Sequence, residues 1–219
     1  MAIPAFLSYS HQDRVLAGLI KTALDSYGFD TFLAHEDLKP SEEWQKSIFT
    51  KLKACAVFLP LLTKAFTESD WTDQETGIAV ALKKIIVPMK VSLNPYGFVN
   101  KYQAQSFPEP TSDGDMDGAC WNIVNKLGSD RKIGSAVKDG VIKAFGRSRS
   151  FNEASTYAAR LRSLEPYSSE QLDEIVKWGC KNNQIHYGFE ARSYVNDLIQ
   201  REKGRVDKNL ARKFVELQA

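Results

Sequence analysis

The chain has 219 residues, 43% of them hydrophobic and 26% charged, which is the composition of an ordinary folded protein and excludes a disordered or low-complexity chain. Lys and Arg number 29 against 27 Asp and Glu, a net charge of +2. Neither Met1–Gly146, with 16 basic and 17 acidic residues, nor the remainder, with 13 and 10, carries the concentrated basic stripe of a nucleic-acid binder. No apolar run approaches the length that spans a bilayer. Met1–Pro4 leads straight into a strand-like segment, so no signal peptide or membrane anchor is expected and the cytoplasm is the expected location. Three widely spaced cysteines (Cys55, Cys120, Cys180) suit reduced core thiols. The three histidines (His11, His35, His186) make no metal-ligand spacing with them, so no metal site is expected.

In chain order, Ala5-Phe-Leu-Ser-Tyr-Ser10 is short, apolar and aromatic, as a strand is. Asp13–Tyr27 repeats Val15, Leu16, Leu19, Ile20, Ala23 and Leu24 at helical spacing, and Gly28 is a natural stop. Phe29–Ala34 reads as a second strand, His35–Glu43 as a polar loop, and Trp44–Lys53 as a helix through Trp44, Ile48, Phe49 and Leu52. Ala54–Leu62 is continuously apolar, the mark of a central strand covered on both faces. A helix over about Trp71–Lys83 and a fourth strand over Lys84–Val91 follow.

Ser92–Gly118 is rich in Pro, Gly, Asp and Ser, and any fifth strand falls in this stretch without a periodicity to place it. Cys120–Leu127 and Ile133–Phe145 are predicted helical. Gly146-Arg-Ser-Arg-Ser150 has linker composition. Phe151–Leu164, Ser169–Asn182 and Phe189–Arg201 are three further helices; Ser169-x-x-Leu172 lacks a full capping box, but Ser168 or Ser169 followed by Glu170 suits the start of the second. The charged residues from Arg201 to Glu216 alternate in sign, as on a solvated helix face. Strands alternating with helices give an α/β fold: a flavodoxin-like, doubly wound parallel sheet over 1–146, then a small all-helical region over 147–219 of unknown role.

In such a sheet the winding reverses between strands one and three, and ligands bind outside the carboxyl ends of the strands at that point. Tyr9, Ser10 and His11 leave the first strand there. His35, Glu36, Asp37, Leu38 and Pro40 leave the second, and Trp71 with Glu75 opens the helix after the third. No Gly-rich phosphate loop is present, which excludes ordinary dinucleotide oxidoreductases and kinases. The third strand ends Leu61-Leu62-Thr63, without the aspartate a receiver domain needs.

Phe6-Leu-Ser-Tyr-Ser10 with Asp13, Gly28-Phe-Asp-Thr-Phe32, Glu36-Asp-Leu-Lys-Pro40 and Ser69-Asp-Trp-Thr-Asp-Gln-Glu75 together resemble the TIR (Toll/interleukin-1 receptor) domain, in the family's order and spacing. Two departures are Pro40-Ser41 in place of Pro-Gly, and Ser10-His11 where some relatives carry arginines. The resemblance to the NAD-cleaving bacterial type implies an NAD glycohydrolase, or its cyclising variant, in bacterial antiphage defence, because enzymatic TIR domains keep a Trp and, four residues on, a Glu in this helix. It implies Glu75 as the catalytic carboxylate and Tyr9, Ser10, His11, Glu36 and Trp71 as substrate-binding residues. Asp37, Leu38, Pro40 and Ser41 are implied as contacts to a neighbouring TIR domain. NAD is then substrate and no cofactor is required. Self-association is expected, and contact with membrane or nucleic acid is not.

Residues four apart share a helix face, so a Trp71 ring can neighbour Glu75, stack on nicotinamide and attract its positive charge. Plainer readings stand beside these. Thr72-Asp-Gln-Glu75 is also a capping-box sequence, Trp71 is also a helix-entry aromatic, and Tyr9 and Ser10 also simply end a strand. Trp44, Trp121 and Trp178 fit core positions. A TIR interaction module without catalysis is the alternative function, one that has no need of the Trp71–Glu75 pair.

Overall fold

The computed structural model describes residues 2–33, 44–109 and 115–218. It divides into two compact units, Met1–Lys126 and Leu127–Ala219. The expected division after Gly146 falls inside the second.

The first unit is built on a parallel sheet. Its strands are β1 (Ile3–Ser8), β2 (Phe29–Leu33), β3 (Val57–Leu62), β4 (Ile85–Ile86), β5 (Met89–Lys90) and β6 (Gln105–Ser106). The order is β2-β1-β3-β5-β6, with β4 also paired to β3. This is the expected doubly wound arrangement, reversing between β1 and β3. Every residue of β3 is buried, as its unbroken apolar run requires. The register sets Phe6 opposite both Phe32 and Phe58. Their rings pack at centroid distances of 5.3 Å and 5.8 Å, and Ile48, Leu52 and Ala79 close the cluster.

The single fourth strand expected over Lys84–Val91 is instead two short pieces. Val87 N–H still donates to Phe58 O, but Pro88 has no N–H to give, and pairing resumes only at Met89. The fifth strand position is Gln105–Ser106, which pairs with β5 and is two residues long, too short to show any periodicity.

Helix α1 (Arg14–Ser26) buries Leu16, Ala17, Ile20 and Leu24 and ends before Gly28, whose φ of +91° supplies the left-handed turn expected there. Val15 and Leu19, counted in the apolar repeat, face solvent, as does Phe49 of α2 (Trp44–Ala54). Lys53 covers the Phe49 ring at 4.6 Å. Helix α3 (Asp70–Ala81) follows β3, and α4 (Met116–Leu127) begins beside the Asp117 carboxylate that accepts from the Tyr27 hydroxyl at 2.7 Å. Trp121, half-buried, lies 5.5 Å from the Tyr27 ring. The side chain of Trp44 lies outside the described residues. Cys55 and Cys120 are free and buried, their thiols pushed up to about 11 and about 12 chiefly by burial, which makes them inert packing residues.

The second unit is helical: α5 (Gly134–Gly146), α6 (Phe151–Ser163), α7 (Ser169–Lys181), α8 (Asn183–His186), α9 (Phe189–Arg201) and α10 (Lys208–Glu216). Helix α5 packs on α6 and α7, α6 on α9, and α7 on α10. The sequence reading missed α8. It placed α10 only as a charged face, and that helix buries Phe214 alone. The capping box of α7 lies one residue before Ser169-x-x-Leu172, with Ser168 Oγ accepting from Gln171 N–H and Gln171 Oε1 accepting from Ser168 N–H. No described helix is long and apolar enough to cross a membrane.

Gly146 sits against the half-buried Trp178 ring, and a Cβ there would lie 2.1 Å from a ring carbon. Gly146→Ala should therefore destabilise the helical unit by about 1–3 kcal/mol. Gly18→Ala, with open space around it in α1, should stabilise its own unit by roughly 0.5–1 kcal/mol. Chemical denaturation of the two variants checks both signs.

Candidate functional site

The site forms where β1 and β3, parallel neighbours, both end at one edge of the sheet. The segment after β1 runs through Tyr9 and Ser10 into a single 3-10 turn at His11–Asp13. The segment after β3 runs through Thr63 into a second 3-10 turn, Lys64–Glu68, and then into α3. Thr63 Oγ1 donates to Asp13 Oδ2 at 2.6 Å and accepts from Phe66 N–H at 3.2 Å, so one hydroxyl ties the two segments together. Thr72 Oγ1 points back to the carbonyls of Phe66 and Ser69, at 2.6 Å and 2.7 Å, and fixes the entry to α3.

That geometry overturns the capping reading of Glu75. The helix starts at Asp70 with Ser69 as its cap residue, which places Glu75 well inside the helix. Its side chain turns onto the sheet instead. Ser8 Oγ donates to Glu75 Oε2 at 2.5 Å across 67 residues of sequence. Glu75 is 1% exposed, and its Oε1 has no hydrogen-bond partner among the described residues. Trp71, one turn earlier, is half-buried. Tyr9 and Ser10 are buried and His11 is exposed. His35, Glu36, Asp37, Leu38, Pro40 and Ser41 lie outside the described residues.

Ser8 is the residue that sequence reasoning missed. One signal was available: a hydroxyl inside an apolar strand, at the last paired position, where Ser8 faces Pro60 of β3. Strand alternation put Ser8 and Ser10 on one face and Tyr9 on the other.

Burial pushes the Glu75 carboxyl up from 4.5 to about 7, against a smaller lowering by the Ser8 hydrogen bond. A buried carboxylate with one donor and one unpaired oxygen is costly to keep charged. The group can thus change protonation near neutral pH, and when ionised it presents a largely desolvated negative charge at the strand ends. Such a charge can stabilise a developing cation or take a proton from water.

The folded protein holds the Glu75 proton more tightly than the unfolded chain does. The stability this gives is full below about pH 4.5 and is lost as pH rises through about 7. At about 1.4 kcal/mol per tenfold change in proton affinity, the loss comes to about 3–4 kcal/mol. Glu75→Gln, neutral throughout, should match the parent near pH 4.5 and exceed its stability progressively up to pH 8. Urea denaturation across that range measures the difference, and parallel curves would contradict it.

No curated protein matches the sequence. The residue pattern that defines the TIR domain matches residues 5–116, from β1 to the start of α4 and just over half of the chain. It spans every strand of the sheet and the Ser8–Glu75 contact, and the chain belongs to the TIR domain family.

Proposed function

We propose that this TIR domain is an NAD glycohydrolase in which Glu75 acts on the bond between nicotinamide and ribose. The observation that carries the reading is the Glu75 carboxyl itself, 1% exposed, held by Ser8 at 2.5 Å and left with an unpaired oxygen at the switch point of the sheet. Carboxyls whose proton affinity is strongly perturbed by burial cluster at functional sites.

The chemistry needs one carboxylate. As the C1′–N bond lengthens, its electron pair moves to the pyridinium nitrogen, and nicotinamide leaves as a neutral molecule without a general acid. Positive charge builds on the ribose ring, where ionised Glu75 stabilises it. Water then adds to C1′ and loses a proton, which Glu75, poised near neutrality, can accept. The products are ADP-ribose, nicotinamide and a proton. Trp71, on the same helical side as Glu75, offers a ring face for nicotinamide. Tyr9, Ser10, His11 and Glu36 are assigned to substrate contact on the family resemblance. Ser8 is a positioning residue that fixes the carboxylate and favours its charged form.

Glu75→Gln should abolish nicotinamide release from NAD, read by chromatography, in a protein that still folds. In the parent, kcat/KM should rise with pH through about 7 as Glu75 ionises. Ser8→Ala removes the donor that lowers this carboxyl, so the rising limb should move to higher pH. Trp71→Ala should raise KM or slow turnover, and Trp71→Phe should do so less because a ring face survives. Parent-level turnover in folded Glu75→Gln would overturn the assignment of Glu75, and a parent that releases no nicotinamide would leave an interaction module as the function.

Asp37, Leu38, Pro40 and Ser41 are assigned to contact with a second TIR domain, on sequence alone. Activity should then rise faster than linearly with protein concentration. A double charge reversal at Glu36 and Asp37 should lose activity alone and regain part of it when mixed with Glu75→Gln. Specific activity that stays flat over a wide dilution series, with a monomer in light scattering, would show that one subunit suffices.

A further inference from the structure

Helix α3 also carries residues that the Glu75 chemistry does not use. At Asp73 and Thr76 it borders a cavity of about 220 Å³ whose other walls are Phe66, Tyr96, Phe98 and Val99. Phe66 and Val99 are buried and form an apolar floor, while Phe98 is 69% exposed at the rim, a large apolar ring left in solvent. Tyr96 and Phe98 flank Gly97, whose φ of +51° is the left-handed conformation that lets the segment turn there.

Two polar features make this more than a dent between aromatic rings. Thr76, 6% exposed, is among the residues that line the cavity, and its Oγ1, buried in the wall, has no hydrogen-bond partner among the described residues. A buried hydroxyl left unpaired is destabilising, so it marks a place where a polar ligand atom would be welcome. Asp73 accepts from the Tyr96 hydroxyl at 2.6 Å and makes no ion pair among the described residues. Among the described residues, the cavity therefore combines three aromatic rings, one carboxylate without a cationic partner and one unpaired hydroxyl. Ring faces and a carboxylate attract the same thing, which is positive charge on a compact, weakly hydrated group.

We propose that this cavity binds a small organic cation with a guanidinium or alkylated ammonium head. The head lies against the Tyr96 and Phe98 rings with Asp73 beside it, and its apolar part rests on Phe66 and Val99. Thr76 Oγ1 accepts an N–H where the cation carries one. The site is independent of the reaction assigned to Glu75, because none of its residues has a role in that reaction and its occupancy is read without turnover.

The test is an NMR titration of the full chain at constant ionic strength with methylguanidinium, with tetramethylammonium and with tert-butanol as the neutral isostere. Both cations should saturate, moving the amides of Thr76 and of residues 96–99, and tert-butanol should not. Phe98→Ala and Asp73→Asn should each weaken both cations at least about threefold, the lower range of a cation–π contact. Thr76→Val keeps the shape and removes the acceptor, so it should weaken methylguanidinium and leave tetramethylammonium, which has no N–H, unchanged. Non-saturating shifts, an equal response to tert-butanol, or cation binding indifferent to Phe98→Ala and Asp73→Asn would each overturn the proposal.

Discussion

Phe6, Phe32 and Phe58 occupy the same register position on three adjacent parallel strands, and their packing fixes how those strands align. A slip of one residue in β1 would turn Phe6 out of the cluster and exchange the faces of every residue after it. With the register held, Ser8 falls opposite Pro60 at the end of the sheet. The segments that follow β1 and β3 then emerge side by side, close enough for Thr63 to bond Asp13 and for Ser8 to reach Glu75. The site is a consequence of that alignment.

Helix α3 differs from its neighbours in what it buries. Helix α1 covers the sheet with Leu16, Ala17, Ile20 and Leu24, an apolar stripe of the usual kind. The buried residues of α3 are Thr72, Glu75, Thr76 and Ala79, three of them polar. Ala79 joins the core cluster with Ile78 and Val80 packed against it, and specific hydrogen bonds seat the rest of the helix. Thr72 bonds back to the turn before the helix, Glu75 accepts from β1, and Thr76 is left unpaired. The burial of Glu75 costs stability at neutral pH, and the apolar sheet beneath offsets it.

The family match and the fold define the chain as a TIR domain joined to a helical unit. The second unit has its own core, in which Phe145 meets Tyr194 edge-on at 6.5 Å and Leu161, Ile175, Val176 and Phe214 are buried. Its helix starts are sequence-encoded: Ser150 accepts from Glu153 N–H, Ser168 from Gln171 N–H, and Asp207 from Asn209 and Leu210 N–H.

The sequence by itself determined the alternation of strands and helices, the central place of β3, the stop at Gly28 and the helical spacing of Trp71 and Glu75. All of these are local, set by periodicity, side-chain size and the φ that glycine allows. It could not locate β6 or the break at Pro88, because two-residue strands have no period and exist only by pairing with β5 and β3. Nor could it choose between a cap and a buried carboxylate for Glu75. That depended on where the helix begins, a matter settled by Thr72 bonding back to Phe66, and on Ser8 arriving from 67 residues away. Both are tertiary contacts whose free energy appears only once the parallel sheet has brought distant segments together, so no local pattern could carry them.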